Sequence, residues 1–322
     1  MSGEEVPAER TEDSIGRRSF VTSTALLGAS VFALGTTPRQ AVGSSHGGPI
    51  SIDNSTFDID VDPRRSNDWL FEGYDQLFEE FYAFQWSETV TNSDDDGTVV
   101  ASYPEDGDPG EWYASTIEFD LASATLSVDR EVRLHESEAL FWINYVITNQ
   151  SDVDITDLRF YQYVDFYIFG SDDDEGQYVE EDDFIYQFGS HEERTDYLGF
   201  TGSMQSTNHE VDDFSESRPN VKSGTLSGND SYTGDAATAF EWTLGDLTAG
   251  QAVELEVTFA GAHTLEALEE HLVRDDKVDD CVDRRSLGRG ESGIACEDER
   301  RHWSRSQTGD ATATRTRRRE RR

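Results

Sequence analysis

Leu140-Phe141-Trp142-Ile143-Asn144-Tyr145-Val146-Ile147-Thr148-Asn149 decides the fold class. Phe141, Ile143, Tyr145 and Ile147 fall at every second position, with Leu140, Trp142, Asn144 and Val146 between them. Side chains of an extended chain alternate between two faces, so this is a strand with one strongly apolar face. Asn149-Gln150-Ser151-Asp152 supplies the turn chemistry that ends it. Beyond the turn, Leu158, Phe160, Gln162, Val164, Phe166 and Ile168 line one face of a second strand. Val253, Leu255, Val257 and Phe259 alternate with Glu254, Glu256 and Thr258, the pattern of a half-buried strand facing water. Shorter strand patterns recur at 57–61, 98–102, 114–119, 124–128, 184–188 and 239–244, separated by turn clusters such as 92–97 and 245–250. Strand after strand without intervening helices predicts an all-β, antiparallel β-sandwich, or its larger supersandwich form, with one or two short helices.

One helix is expected where Thr264 can cap Leu265 to Val273, with Glu266 in the first turn. Segment 67–84 stays open between two states. Leu70, Tyr74, Leu77, Phe78 and Phe81 suit a helical face, whereas Phe81-Tyr82-Ala83-Phe84-Gln85-Trp86 suits entry into a strand. The strand-rich body spans 44–273 and is flanked by two segments of different character.

The first, 1–43, has the layout of a twin-arginine signal peptide. Arg17-Arg18 precedes Phe20 and an apolar run over 21–34, and small residues Ala41-Val42-Gly43 follow where a signal peptidase cuts. The run is too short and too rich in Gly, Ser and Thr for a membrane span, which needs ~20 apolar residues. The expectation is an exported, extracellular or cell-surface protein with no transmembrane helix in the mature chain.

Charge gives the second constraint. The chain holds 67 Asp and Glu against 26 Lys and Arg, a formal net charge of −41, and Lys222 and Lys277 are its only lysines. Such a surface repels itself in dilute buffer. At molar salt the Debye length falls to ~3 Å and the repulsion is screened. The composition points to a halophilic, haloarchaeal protein and argues against nucleic acid as a partner.

The third segment, 274–322, reverses this bias. It holds more than half of the chain's basic residues, ends in a run of arginines, and contains both cysteines, Cys281 and Cys296. It has few aliphatic residues and no strand or helix period, so it is expected to be disordered. Three explanations compete: a basic anchor for acidic envelope polymers or lipid headgroups, a segment closed by a Cys281–Cys296 disulfide, or an out-of-frame translation product. The abrupt change of composition favours the third.

Several short motifs occur in a fixed order along the body. Asp75-Gln76-Leu77-Phe78-Glu79-Glu80-Phe81-Tyr82-Ala83-Phe84 comes first. Ile147-Thr148-Asn149-Gln150-Ser151 follows, with Phe160-Tyr161-Gln162-Tyr163-Val164-Asp165-Phe166. Gly234-Asp235, Ala239-Phe240-Glu241-Trp242 and Leu247-Thr248-Ala249-Gly250 close the series. This order resembles that of a group of exported proteins, mostly bacterial, that often carry a C-terminal PEP-CTERM sorting signal. The resemblance implies an envelope-associated β-sandwich without an assigned reaction. The group's C-terminal anchor is missing here, where the basic segment stands.

Familiar catalytic signatures are absent: there is no Gly-x-Ser-x-Gly, no His-Glu-x-x-His and no phosphate-binding glycine loop. His135-Glu136, His191-Glu192 and His209-Glu210 lack a second histidine at metal spacing. The body has no cysteine, which removes thiol chemistry and Cys-ligated zinc from the folded domain.

Two places retain chemical interest. Asp172, Asp173, Asp174 and Glu175 offer oxygen ligands for a calcium ion, although the spacing is not that of an EF-hand loop and a hydrated acidic surface explains the run as well. Asp165, flanked by Tyr163 and Tyr167 on the less apolar side of its strand, suits a ligand-binding carboxylate or a structural acceptor for tyrosine hydroxyls. Asn54, Asn149 and Asn229 begin N-glycosylation sequons. No other cofactor is implied.

Two function classes follow. The first is a non-enzymatic sandwich of the cell envelope that binds a polysaccharide or a surface protein. The second is a carbohydrate-active enzyme or its binding module, for which the 18 Phe, 12 Tyr and 6 Trp supply stacking surfaces, though most of these rings are expected in the core.

Overall fold

Alternating burial along the chain builds the molecule. In the computed structural model, residues 50–104, 112–121, 123–170 and 174–273 are described. Arg17, Arg18, Phe20, Asp172, Asp173, Cys281 and Cys296 lie outside them, as do segments 1–43 and 274–322.

In chain order the strands are β1 (Ile50–Asp53), β2 (Phe57–Val61), β3 (Ser66–Phe71), β4 (Tyr74–Asp75), β5 (Leu77–Trp86) and β6 (Thr89–Asn92). Then come β7 (Thr98–Pro104), β8 (Trp112–Leu121), β9 (Ala124–Leu134), β10 (Leu140–Asn149), β11 (Ile155–Phe166) and β12 (Asp174–Val179). The last are β13 (Phe184–His191), β14 (Arg194–Gly202), β15 (Asn208–Asp213), β16 (Ser231–Gly234), β17 (Ala236–Leu247) and β18 (Ala252–Ala262). Two α-helices accompany them, α1 (Phe214–Ser223) and α2 (Leu265–Val273).

The strands form a nine-stranded sheet in the order β16-β12-β13-β14-β18-β10-β9-β8-β7, a five-stranded sheet β15-β17-β11-β5-β6, and a four-stranded meander β1-β2-β3-β4. All their pairings are antiparallel. The predicted antiparallel sandwich is the fold. β10 sits near the middle of the large sheet, with Ile143 opposite Val257 of β18 and Val132 of β9. Its Phe141, Ile143, Tyr145 and Ile147 face the core, as the alternation requires.

The five-stranded sheet and the meander both face the nine-stranded sheet. Tyr82 packs on Tyr145 at 5.0 Å and Phe84 on Phe119 at 5.4 Å, between ring centroids. From the meander, Trp69 meets Phe141 edge-on at 4.9 Å and Phe259 at 5.0 Å. Edge and offset contacts of this kind favour aromatic pairs beyond their buried area.

A helix covers the outer face of each large sheet. The expected helix is α2, whose Leu268 and Leu272 pack with Leu140, Phe184 and Tyr186 behind the nine-stranded sheet. On the other side α1 covers the five-stranded sheet, burying Val221 against Phe81, Ala83, Tyr163, Ala237 and Ala239. Sequence reading missed α1. Its interior Pro219 removes a backbone donor, and its exposed positions are polar. What starts it is Asp213, whose carboxylate accepts the Ser215 N–H at 2.9 Å, and Gly224 ends it in the left-handed region.

Segment 67–84 resolves into strands β3, β4 and β5. The helical alternative fails because β5 is buried on both faces, Tyr82 and Phe84 inward and Phe81 and Ala83 beneath α1. A strand sandwiched between two apolar layers shows no period-two signal.

Candidate functional site

β11 is the central strand of the five-stranded sheet, and that decides the fate of Asp165. Tyr163 pairs with Phe81 across β5 and stacks on it at 4.6 Å; Asp165 pairs with Glu79. The layer formed by α1 leaves Tyr163 fully buried and Asp165 2% exposed. Burial, then the nearby Asp165 and Glu79 carboxylates, push the Tyr163 hydroxyl well above its ordinary range. Asp165 and Tyr163 are therefore interior groups, and only Tyr167 reaches the surface. The "less apolar side" is the floor of a helix contact.

Of the acidic run, Asp174 and Glu175 are described. They open β12 and point to opposite faces. Asp174 is buried and accepts the Ala236 N–H at 3.1 Å, while Glu175 faces solvent. Among the described residues no group of three or more His, Cys, Asp or Glu is placed to hold a metal ion. Of the sequons, Asn229 is exposed and donates to Asp212 at 2.6 Å. Asn54 spends its amide on the carbonyls of His135 and Glu138. Asn149 is fully buried and ties the carbonyls of Val153 and Leu247 together at 2.8 and 2.9 Å, so the folded chain does not present it to a glycosyltransferase.

The chemistry the structure does assemble lies at the end of the β3–β4 hairpin. Glu72-Gly73 forms its two-residue turn with φ of 48° and 82°. Positive φ at both central residues is what a tight hairpin turn needs, and Gly73 meets no neighbour that would otherwise demand glycine. The turn lifts Glu72 into solvent and starts β4 at Tyr74.

Next comes Gln76, fully buried and central to the site. Its carbonyl accepts the Tyr167 N–H at 2.9 Å and its side-chain oxygen accepts the Phe169 N–H at 2.9 Å. Those two bonds hold the turn after β11, where Phe169 takes a left-handed φ of 58°. Its side-chain nitrogen donates to Asp196 Oδ2 at 3.0 Å.

Two arrays meet there. One is a strip of rings in two contacting groups that the turn after β11 brings to the surface through Tyr167 and Phe169. Tyr74 contacts Phe169 at 5.4 Å, and Phe78 contacts Tyr167 at 6.1 Å and Phe214 of α1 at 5.5 Å. Tyr74 is 45% and Phe78 58% exposed, whereas most of the chain's described rings are in the core.

The other array is polar. Buried Asp196 of β14 accepts from Arg194 Nε at 2.7 Å and lies 2.8 Å from His263 Nδ1. His263 Nε2 is 3.2 Å from the Glu72 carboxylate, and Arg194 Nη1 is 3.3 Å from it. The guanidinium sits over Tyr74 at 4.8 Å and over Phe71 and Phe169 at 5.6 Å each, a cation–π arrangement. Its bond to Asp196 raises its proton affinity further, so it is charged at any working pH.

Rings with apolar faces beside fixed donors and acceptors are what a polyhydroxylated ligand needs: the rings take C–H faces and the polar groups take hydroxyls. Asp196 holds one nitrogen of His263 and leaves the other toward solvent beside Glu72, an arrangement that can also move a proton. Sequence reading missed Glu72, Arg194, Asp196 and His263 because they come from three separate stretches. The one signal was the Asp75-Gln76-Leu77-Phe78 motif.

A separate shallow depression of about 320 Å³ lies at the opposite end of β5, lined by Gln85, Trp86, Ser87, Thr156, Asp157 and Arg159.

No family model matches the chain. Among solved structures, it is similar to a bacterial glucoamylase complexed with acarbose, with a TM-score of 0.55 and 10% identity over 74% of this chain and 36% of that one. An aldose epimerase homologue from C. elegans gives a TM-score of 0.44 at 10% identity, covering 67% of this chain and 99% of that one. A galactose mutarotase-like protein from Lactobacillus casei gives 0.37 at 10% identity, covering 67% and 100%. The chain spans about a third of the glucoamylase's length. At this identity the likeness is one of fold, and the shared architecture is an antiparallel β-sandwich.

Proposed function

We propose that this chain is an exported, non-enzymatic β-sandwich protein of a halophilic cell envelope that binds polysaccharide through the Tyr74–Phe169 and Phe78–Tyr167–Phe214 ring strip. The observation that carries this reading is the junction of that exposed strip with the Glu72–Arg194–Asp196–His263 cluster. Its support from outside the chain is the glucoamylase of similar fold, which was crystallised with acarbose. The Arg17-Arg18 segment and the acid-rich composition support export and a briny setting.

A second reading, a carbohydrate-active enzyme, is favoured by one feature: the imidazole of His263 held by Asp196 with Glu72 beside its free side. A glycan array run in molar KCl tests the first reading. Tyr74→Ala with Phe78→Ala should weaken retention by about fivefold to a hundredfold, since two ring contacts at ~0.5–1.5 kcal/mol each sum to about 1–3 kcal/mol. Unchanged retention would remove the strip from the function. Turnover of a retained glycan that is lost in His263→Asn would establish the enzyme instead.

A further inference from the structure

Both arginines described at the strip are already paired with carboxylates. Arg194 has Asp196 at 2.7 Å and Glu72 at 3.3 Å. His263 stands between the same two carboxylates. Arg218, in the first half of α1 next to Phe214, is held by Glu79 through two bonds of 2.6 and 2.9 Å and by Asp94 at 2.8 Å. Around these lie further acids, Glu192 and Glu193 in the β13–β14 turn beside His191, whose ring meets Phe169 at 5.7 Å. The strip therefore presents carboxylates in excess and no uncommitted arginine or lysine among the described residues.

In molar salt the Debye length is only ~3 Å, so the charge of the whole surface does not sort ligands at a distance. Sorting falls to groups in contact. A uronate or sulfate placed on Tyr74 would meet Glu72 directly. It would have to displace Glu72 or Asp196 from Arg194 to gain a cation, which exchanges one ion pair for another while leaving a displaced carboxylate unpaired. A neutral sugar hydroxyl instead donates to Glu72 as it stands.

We infer, on the basis of the polysaccharide-binding reading above, that the strip selects uncharged glycans and rejects uronate-bearing or sulfated ones, and that Glu72 is the residue that sets this choice.

The test uses the full chain in molar KCl against immobilised neutral polysaccharides and polyuronates of matched length. The wild type should retain at least one neutral polymer and bind each polyuronate weaker by about tenfold or more, as direct like-charge contact requires. Glu72→Gln removes the repelling charge and releases one side of Arg194, so the ratio of polyuronate to neutral binding should rise about fivefold to tenfold. Circular dichroism of the variant checks the turn, since position 72 itself holds a left-handed φ of 48° that Gln must adopt in place of Glu. Equal binding of neutral and anionic polymers by the wild type overturns the inference and leaves the binding reading standing. An unchanged ratio in a folded Glu72→Gln variant overturns the role of Glu72. If no polymer of either kind is retained, the polysaccharide-binding reading fails and the inference falls with it.

Discussion

Replacing Arg130 by Met should be among the most damaging single changes in the domain. Arg130 on β9 and Glu80 on β5 face each other across the sandwich, both 0% exposed, with Nη2 and Oε2 3.3 Å apart. The other bonds of Glu80 are fixed: Oε2 accepts the Ser66 N–H at 2.7 Å and Oε1 accepts the Gln162 amide at 2.8 Å. Tyr145 then donates to Gln162 at 2.8 Å, and Arg130 donates to Ser66 Oγ at 3.1 Å. Burial by itself would weaken the charge of Arg130, but Glu80, joined by Tyr145 and Tyr82, outweighs it and the guanidinium stays protonated. Burial also drives the Tyr82 and Tyr145 hydroxyls far above their ordinary range, so both stay neutral. One charge of each sign thus stands in an aromatic core.

Removing one partner leaves the other buried and unpaired, at a cost of about 3–5 kcal/mol. For a domain of this size 1 kcal/mol moves the melting midpoint by about 2–4 °C, so Arg130→Met should lower it by about 6–20 °C. The double variant Glu80→Leu with Arg130→Met removes both charges and should recover part of that loss, the remainder persisting because the buried Ser66 N–H and the Gln162 amide lose Glu80 as acceptor. Thermal unfolding at fixed molar KCl, followed by near-ultraviolet circular dichroism, reads all three proteins. A single variant within 2 °C of wild type, or a double variant no better than the single, would refute the account of this centre.

Asp213 caps α1, and its bonds from Ser215 and Tyr232 hold its carboxyl below the usual carboxylate range. A depressed folded value contributes stability above the unfolded pKa that is lost as pH falls through the folded one, so α1 should keep this cap until the pH drops below the usual carboxylate range, and Asp213→Ala should abolish that step while costing about 1 kcal/mol. Asp94 takes Arg65 at 2.7 Å, Arg218 at 2.8 Å and Lys222 at 2.9 Å, so Asp94→Asn should expose Phe81 and Tyr163 to quencher or exchange more than any single change at an isolated surface pair. For the export proposal, Arg17→Lys with Arg18→Lys should leave the precursor inside the cell, and normal secretion of that double variant would contradict it.

The sandwich was legible because its central strands bury one face only. Tyr145 and Ile147 on β10, and Leu255 and Val257 on β18, alternate with residues that meet solvent, and period two survives in the sequence. β5 and β11 were harder, since α1 turns their second face into interior. The same layer buries Asp165, which the sequence left open between a ligand-binding carboxylate and a structural acceptor. α1 itself was hidden by Pro219 and by its few apolar residues. The candidate site was not legible, because Glu72, Gln76, Arg194, Asp196 and His263 come together only when β3–β4, β14 and β18 meet. Sequence order holds no trace of that meeting beyond the motif that carries Gln76 and Phe78.

The most direct measurement is a crystal structure of the protein grown in molar KCl with a retained neutral oligosaccharide. The account predicts a sugar ring lying flat on Tyr74 or Phe78, with a hydroxyl within hydrogen-bond distance of the Glu72 carboxylate. Density for the sugar in the Trp86–Arg159 depression, with the Tyr74–Phe78 strip bare, would contradict it.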